Sequence, residues 1–158
     1  MRWLLSYISS TLSSSCHRVL FQRTYIFSQK MSYSIKVFIY QIDTEGAYFR
    51  VVEKTVWNYA NGETWDEVNG YHLLKMGGSG TSGSFRLQSN TDESFVITLG
   101  IDGYEPWGDI VTDLTSCQTA CVTTPLYYNS ADADKEKKRT SHMHKGEIYN
   151  SKGRVCKL

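Results

Sequence analysis

From Met31 onward the apolar positions recur with a period of two rather than 3.6, which predicts strands rather than helices. Tyr33, Ile35, Val37 and Ile39 fall on one face of an extended segment. Phe49–Trp57 is rich in β-branched and aromatic residues, and Ser84–Gln88 alternates cleanly. Phe95, Ile97 and Leu99 alternate with Val96 and Thr98, and Thr119–Thr124 is a further β-prone run. Turn signals separate these runs: Asn61-Gly62, Asn69-Gly70, Gly77–Gly83, Asn90-Thr91-Asp92 and Asp102-Gly103. Short strands at this spacing predict an all-β fold, an antiparallel β-sandwich. One helix is expected, over Ala131–Thr140. It opens on Asp132 and Asp134 and closes on Lys137-Lys138-Arg139, a charge order that suits the helix dipole.

Composition narrows the class. The chain has 158 residues, about one domain, and at 41% hydrophobic it is too apolar for a disordered segment. No run approaches the roughly 18 apolar residues of a membrane span. Residues 31–130 carry a net charge of −7, against +4 for residues 131–158. An acidic body argues against nucleic acid as a partner. Residues 1–30 hold seven Ser, four Lys/Arg and no acid. They are expected to be an extension outside the fold, either sequence upstream of a true start at Met31 or a targeting segment. The domain is then 31–158. As a secretory signal the extension is poor, which points to a cytoplasmic protein.

Candidate chemistry is sparse. The loop Met76–Ser84 lacks the Lys of a phosphate-binding loop and the G-x-S-x-G of a hydrolase. It offers backbone N–H groups and hydroxyls, which suits a ligand covered in hydroxyls. Cys16, Cys117, Cys121 and Cys156 form no C-x-x-C pair. Cys117 and Cys121 fall in a strand-like run, on one face but too far apart to bridge easily. His142-x-His144 with Cys156 matches no zinc spacing. Asp66-Glu67 and Asp92-Glu93 read as turn decoration. No nucleophile, base and orienting acid can be assembled, so neither an enzyme nor a cofactor or metal is expected.

The run Phe49–Trp65, the loop Gly77–Gly83 and the segment Trp107-Gly108-Asp109-Ile110-Val111-Thr112-Asp113-Leu114, ending near Tyr127-Tyr128, resemble the fungal fruit-body lectin family. The likeness covers about residues 31–130, in order. It implies a lectin with an actinoporin-like β-sandwich, a homotetramer by family habit, with two separate sugar sites and a defensive role. One site takes the T-antigen disaccharide Galβ1-3GalNAc; the other takes N-acetylglucosamine. Carried over by position, the disaccharide site includes Ala60, Ser79 and Gly80. Asp102 and Gly103 stand before Tyr104 where the family has a His-Asn pair. The second site includes Asp109, Ile110 and Thr112. The position nearest its expected Arg is Ala133, and its expected Tyr falls among His142, His144 and Tyr149.

The implied partners are glycans on glycoproteins or glycolipids. A shallow site binds weakly, so function rests on several sites acting together. The Trp and most Tyr residues, set in alternating strands, are expected in the core. Asp109→Ala is expected to weaken sugar binding and leave the melting temperature alone. The sequence ends where the family's further strands are expected, so C-terminal strands read as missing. Two other classes stay open at this level: a membrane-active β-sandwich, and a degenerate, non-binding family member.

Overall fold

The computed structural model describes residues 3–4, 32–41, 46–58, 64–143 and 146–158. Its strands are β1 (Trp3–Leu4), β2 (Tyr33–Val37), β3 (Tyr40–Gln41), β4 (Phe49–Trp57), β5 (Thr64–Val68) and β6 (Tyr71–Met76). They continue through β7 (Thr81–Ser89), β8 (Ser94–Asp102), β9 (Glu105–Val111), β10 (Glu147–Tyr149) and β11 (Val155–Lys157). A four-stranded sheet in the order β4-β7-β8-β9 faces a three-stranded sheet in the order β2-β6-β5. Every pairing in both is antiparallel.

Alternation decides what fills the space between them. Phe85 and Leu87 from β7, and Phe95, Ile97, Leu99 and Ile101 from β8, join Ile35, Val37, Leu74 and Met76 of the facing sheet in one apolar core. Trp65 packs tilted on Phe85 with ring centroids 4.1 Å apart.

The opposite face of the four-stranded sheet is buried as well, under helix α1 (Ala120–Thr123), a 3-10 turn (Thr124–Tyr127) and helix α2 (Ala133–Thr140). That interface is lined by hydroxyls. Ser84 donates to Thr98 Oγ1 (2.9 Å) and shares a second hydrogen bond with Thr124 (2.7 Å), all three side chains buried. Trp107 packs tilted against Tyr127 beside them, 5.0 Å between ring centroids.

The strands β2, β7 and β8 fall where alternation predicts them, β4 where β-branched and aromatic residues concentrate, and α2 where its charge order does. Thr119–Thr124 departs: it is helical, and the cause is tertiary. Thr119 caps α1 by accepting from Val122 N–H (3.3 Å), and the Glu53 carboxylate accepts from Ala120 N–H (2.9 Å) and Cys121 N–H (3.0 Å). A filled helix N-terminus outweighs the β preference of Cys121-Val122-Thr123-Thr124. Cys117 and Cys121 therefore lie on a turn and a helix, both exposed, not on one strand face.

The carboxylate pairs also need correction. Asp66 and Glu67 lie within β5, facing Lys75 and Lys54 respectively. Glu93 is no turn decoration. It is 7% exposed and accepts from Thr91 Oγ1, Asn150 Nδ2 and Arg154 Nε, each at 2.8 Å. It thereby fastens the β10–β11 hairpin, whose Val155 and Cys156 are buried in the body. From residues 1–30 the structure describes only Trp3–Leu4, paired with Tyr40–Gln41.

A Cβ on Gly100 would stand 2.5 Å from the Thr81 carbonyl oxygen and 2.7 Å from Trp107 Nε1. Gly100→Ala should cost about 1–3 kcal/mol, read as a lower urea midpoint, because the obstacle is backbone. At Glu93, burial works to raise the pKa, but bonds from Thr91, Asn150 and Arg154 and the Arg154 charge prevail and hold it below the ordinary 4.5. Its stabilising contribution is thus complete above that value and is lost as pH falls through the lowered one. Glu93→Gln should be less stable than the parent at neutral pH. The gap between their urea midpoints should narrow steadily below pH 4.5.

Candidate functional site

Two polar clusters occupy the end and the open edge of the four-stranded sheet. The first forms where the loop before β7 meets the β8–β9 turn. Gly80 takes a φ of +81° and donates its N–H to the Ile101 carbonyl (2.7 Å), docking the loop on the end of β8. Ser79 Oγ accepts from Tyr104 N–H (3.0 Å), and Asn58 Nδ2 donates to the Gly80 carbonyl (3.4 Å). Ser79, Gly80, Asp102 and Gly103 thus share one rim, with Tyr104 standing 66% exposed beside them. Gly103 has a φ of +54° in the tight turn, a region glycine enters freely, and the His142 ring lies next to it. Ala60 lies outside the described residues.

Asp102 is not idle on that rim. Arg139 Nη1 donates to it at 2.5 Å, while Arg139 Nε donates to the Tyr127 carbonyl at 2.8 Å. The guanidinium also lies 4.8 Å over the Tyr128 ring, which stacks on Trp57 at 5.1 Å. The carboxylate is held in a fixed orientation by a cation that is itself held.

The second cluster lies on β9. Trp107 and Asp109 face the helical layer, and Ile110, 5% exposed, faces the core. Asp109 Oδ2 accepts from Tyr127 O–H (2.8 Å) and Oδ1 from Lys138 Nζ (2.7 Å), leaving the side chain 10% exposed. Burial, and then the neighbouring Asp109 charge, push the Tyr127 pKa far up, so the phenol stays a donor. A pocket of about 180 Å³ opens along this edge, with Asp109 and Lys138 on one side and Ile148 and Leu158 among its apolar lining. Asp109 and Ile110 both line it. Thr112 does not; its hydroxyl turns to Asp113 Oδ2 (3.3 Å).

Sequence reasoning missed Lys138, Arg139 and Tyr127. Ala133 stands exposed at the start of α2, and the cation at Asp109 comes from Lys138, five residues further on. By sequence alone the basic last turn of α2 reads as a solvated face; instead Lys138 and Arg139 turn in to pair with Asp109 and Asp102. Leu158 was hidden for another reason. It lies against Gly108, where any Cβ would collide with its Cδ2, and a contact across fifty residues leaves no local pattern.

The expected Asp109→Ala behaviour changes accordingly. Truncation would leave the Tyr127 hydroxyl and Lys138 without their shared acceptor, so stability falls together with any binding.

Among the described residues no group of three His, Cys, Asp or Glu side chains could hold a metal ion. His144 lies outside them. Burial, with Asp113 and Glu93 nearby, pushes the Cys156 thiol up to about 12, so it stays protonated. No described helix is long and apolar enough to cross a membrane. What the two clusters offer is oriented carboxylates, amides and hydroxyls, the groups that recognise other hydroxyls.

Comparison with known proteins gives the same direction. Boletus edulis lectin is 46% identical over 100 residues, which span 63% of this chain and 70% of that protein. The wild-type crystal structure of Xerocomus chrysenteron lectin superposes with a TM-score of 0.73 at 41% identity, covering 78% of this chain and 85% of that one. A methionine-substituted variant of the same lectin gives 0.74 at 42% identity, covering 78% of this chain and 83% of its own. Residues 31–158 match the family model described as Fungal fruit body lectin. The chain is therefore a member of the fungal fruit-body lectin family, carbohydrate-binding proteins rather than enzymes.

Proposed function

We propose that this protein binds N-acetylglucosamine-terminated glycans in the Asp109 pocket. The observation that carries the proposal is the pairing, in one cavity of about 180 Å³, of a doubly held carboxylate and a half-exposed lysine with an apolar wall. A carboxylate oxygen accepts more than one hydrogen bond, so Asp109 retains lone pairs for a sugar hydroxyl, and Lys138 can donate to another. The cavity is smaller than the roughly 300–1,000 Å³ of drug-sized ligand sites, which suits one ring at a glycan's end.

The rim of Ser79, Gly80, Asp102 and Gly103 supports a second, weaker reading, as the site for Galβ1-3GalNAc. Its loop presents backbone at a position free of side chain, but Gly103 supplies no side-chain amide to the sugar. Single sites of this kind bind weakly. We take the working unit to be an oligomer, a tetramer by family habit, that engages dense glycan surfaces in a defensive role.

Thermal unfolding with and without each sugar tests both assignments. N-acetylglucosamine at ~100 times its dissociation constant should add roughly 2.7 kcal/mol of apparent stability. Lys138→Met should abolish that gain and also lower the sugar-free melt, because it leaves the nearly buried Asp109 carboxylate without its cation. Asp109→Asn should lose the gain and melt lower. A parent protein whose melt neither sugar raises would sink the proposal.

A further inference from the structure

We propose that the β10–β11 hairpin is the part of the Asp109 pocket that selects sugars carrying an acetamido group. We further propose that the Glu93–Arg154 pair is the positioning element that keeps it there. The inference rests on the pocket being a sugar site, and it concerns the side of that pocket that Asp109 and Lys138 do not form.

The pocket has two unlike sides. Asp109 and Lys138 give hydrogen-bonding groups, while Ile148 and Leu158, both packed against the core, give an apolar wall. A pyranose edge made only of hydroxyls would leave that wall covered by polar groups or water. An acetamido methyl would cover it instead, gaining the transfer of one methyl group from water.

The wall is not a strand of either main sheet. The hairpin has three paired positions, Glu147 with Lys157, Ile148 with Cys156 and Tyr149 with Val155. A two-stranded ribbon this short does not hold its own shape in water. Its position is set by what grips it. At the turn end, Arg154 Nε and Asn150 Nδ2 each donate to buried Glu93 at 2.8 Å, and Ser151 donates its hydroxyl to Asp113 at 2.6 Å. At the open end, Leu158 sits where Gly108 lacks a side chain. Ile148 lies between these grips, so releasing the turn end lets it drift from the pocket, with its neighbour Glu147, while Asp109 and Lys138 keep their places.

Isothermal titration of the full chain with N-acetylglucosamine and, separately, glucose reads the selection directly. The parent should bind N-acetylglucosamine more tightly than glucose. In Ile148→Ala that preference should shrink about fourfold, the worth of one buried carbon, because N-acetylglucosamine loses more affinity than glucose does. Arg154→Met should shrink it in the same way, and Arg154→Lys, which keeps a cation beside Glu93, should restore most of it. Asp113→Ala tests the second grip from an exposed position, should Arg154→Met unfold. A parent that binds the two sugars equally, or an Ile148→Ala variant that loses both alike, overturns the inference while leaving the sugar site standing. A parent that binds neither sugar defeats the proposed function instead.

Discussion

A sheet buried on both faces cannot be apolar on both unless each covering layer is apolar too, and here one is not. The four-stranded sheet meets its facing sheet through Phe85, Leu87, Ile97 and Leu99, and its helical cover through Ser84, Thr98 and Thr124. The hydroxyls of Ser84, Thr98 and Thr124 are tolerated there because they satisfy one another. That constraint fixes the chain beyond β9. The helical layer must bring Thr124 onto Ser84, which in turn sets Tyr127 against Trp107 and its phenol on Asp109. The orientation of the pocket carboxylate is thus a downstream result of how a polar sheet face is covered.

Much of this was legible in the residues. β2, β7 and β8 announce themselves by alternation and β4 by its β-branched and aromatic residues, although a bulge between Val51 and Glu53 shifts its register. β5, β6 and β9 do not. In β6, His72-Leu73-Leu74 breaks the alternation, and the outward Leu73 is half-buried rather than polar. In β9, Pro106 and Gly108 look like breakers. Both are admissible because β9 is an edge strand, and the gap at Gly108 is filled from the chain's far end by Leu158. The helical fate of Thr119–Thr124 depends on Glu53, sixty-seven residues away from Ala120, and no local window contains that partner.

The site follows the same division. Ser79, Gly80, Asp102 and Gly103 were assigned by likeness, and they do gather on one rim. Asp109 and Ile110 gather at the pocket, and Thr112 is drawn off by Asp113. The residues that orient the two carboxylates, Arg139 and Lys138, come from α2. Position-by-position transfer looks for a cation at Ala133 and finds none. The physical requirement, that an inward-facing carboxylate on β9 needs a donor, finds Lys138.

Lys138 and Arg139 are also neighbours on a helix that buries no residue, so α2 is attached by charge and by one ring contact rather than by a core. Attachments of that kind respond to the surrounding medium. Screening lengths shorten from about 10 Å at 0.1 M salt to about 3 Å at 1 M, with less effect on partly buried pairs such as these, while apolar burial is not screened at all. Ionic strength therefore acts on one layer of this molecule and spares the other. The sandwich keeps its grip in brine, and the helix that orients both candidate carboxylates is the first element to slacken.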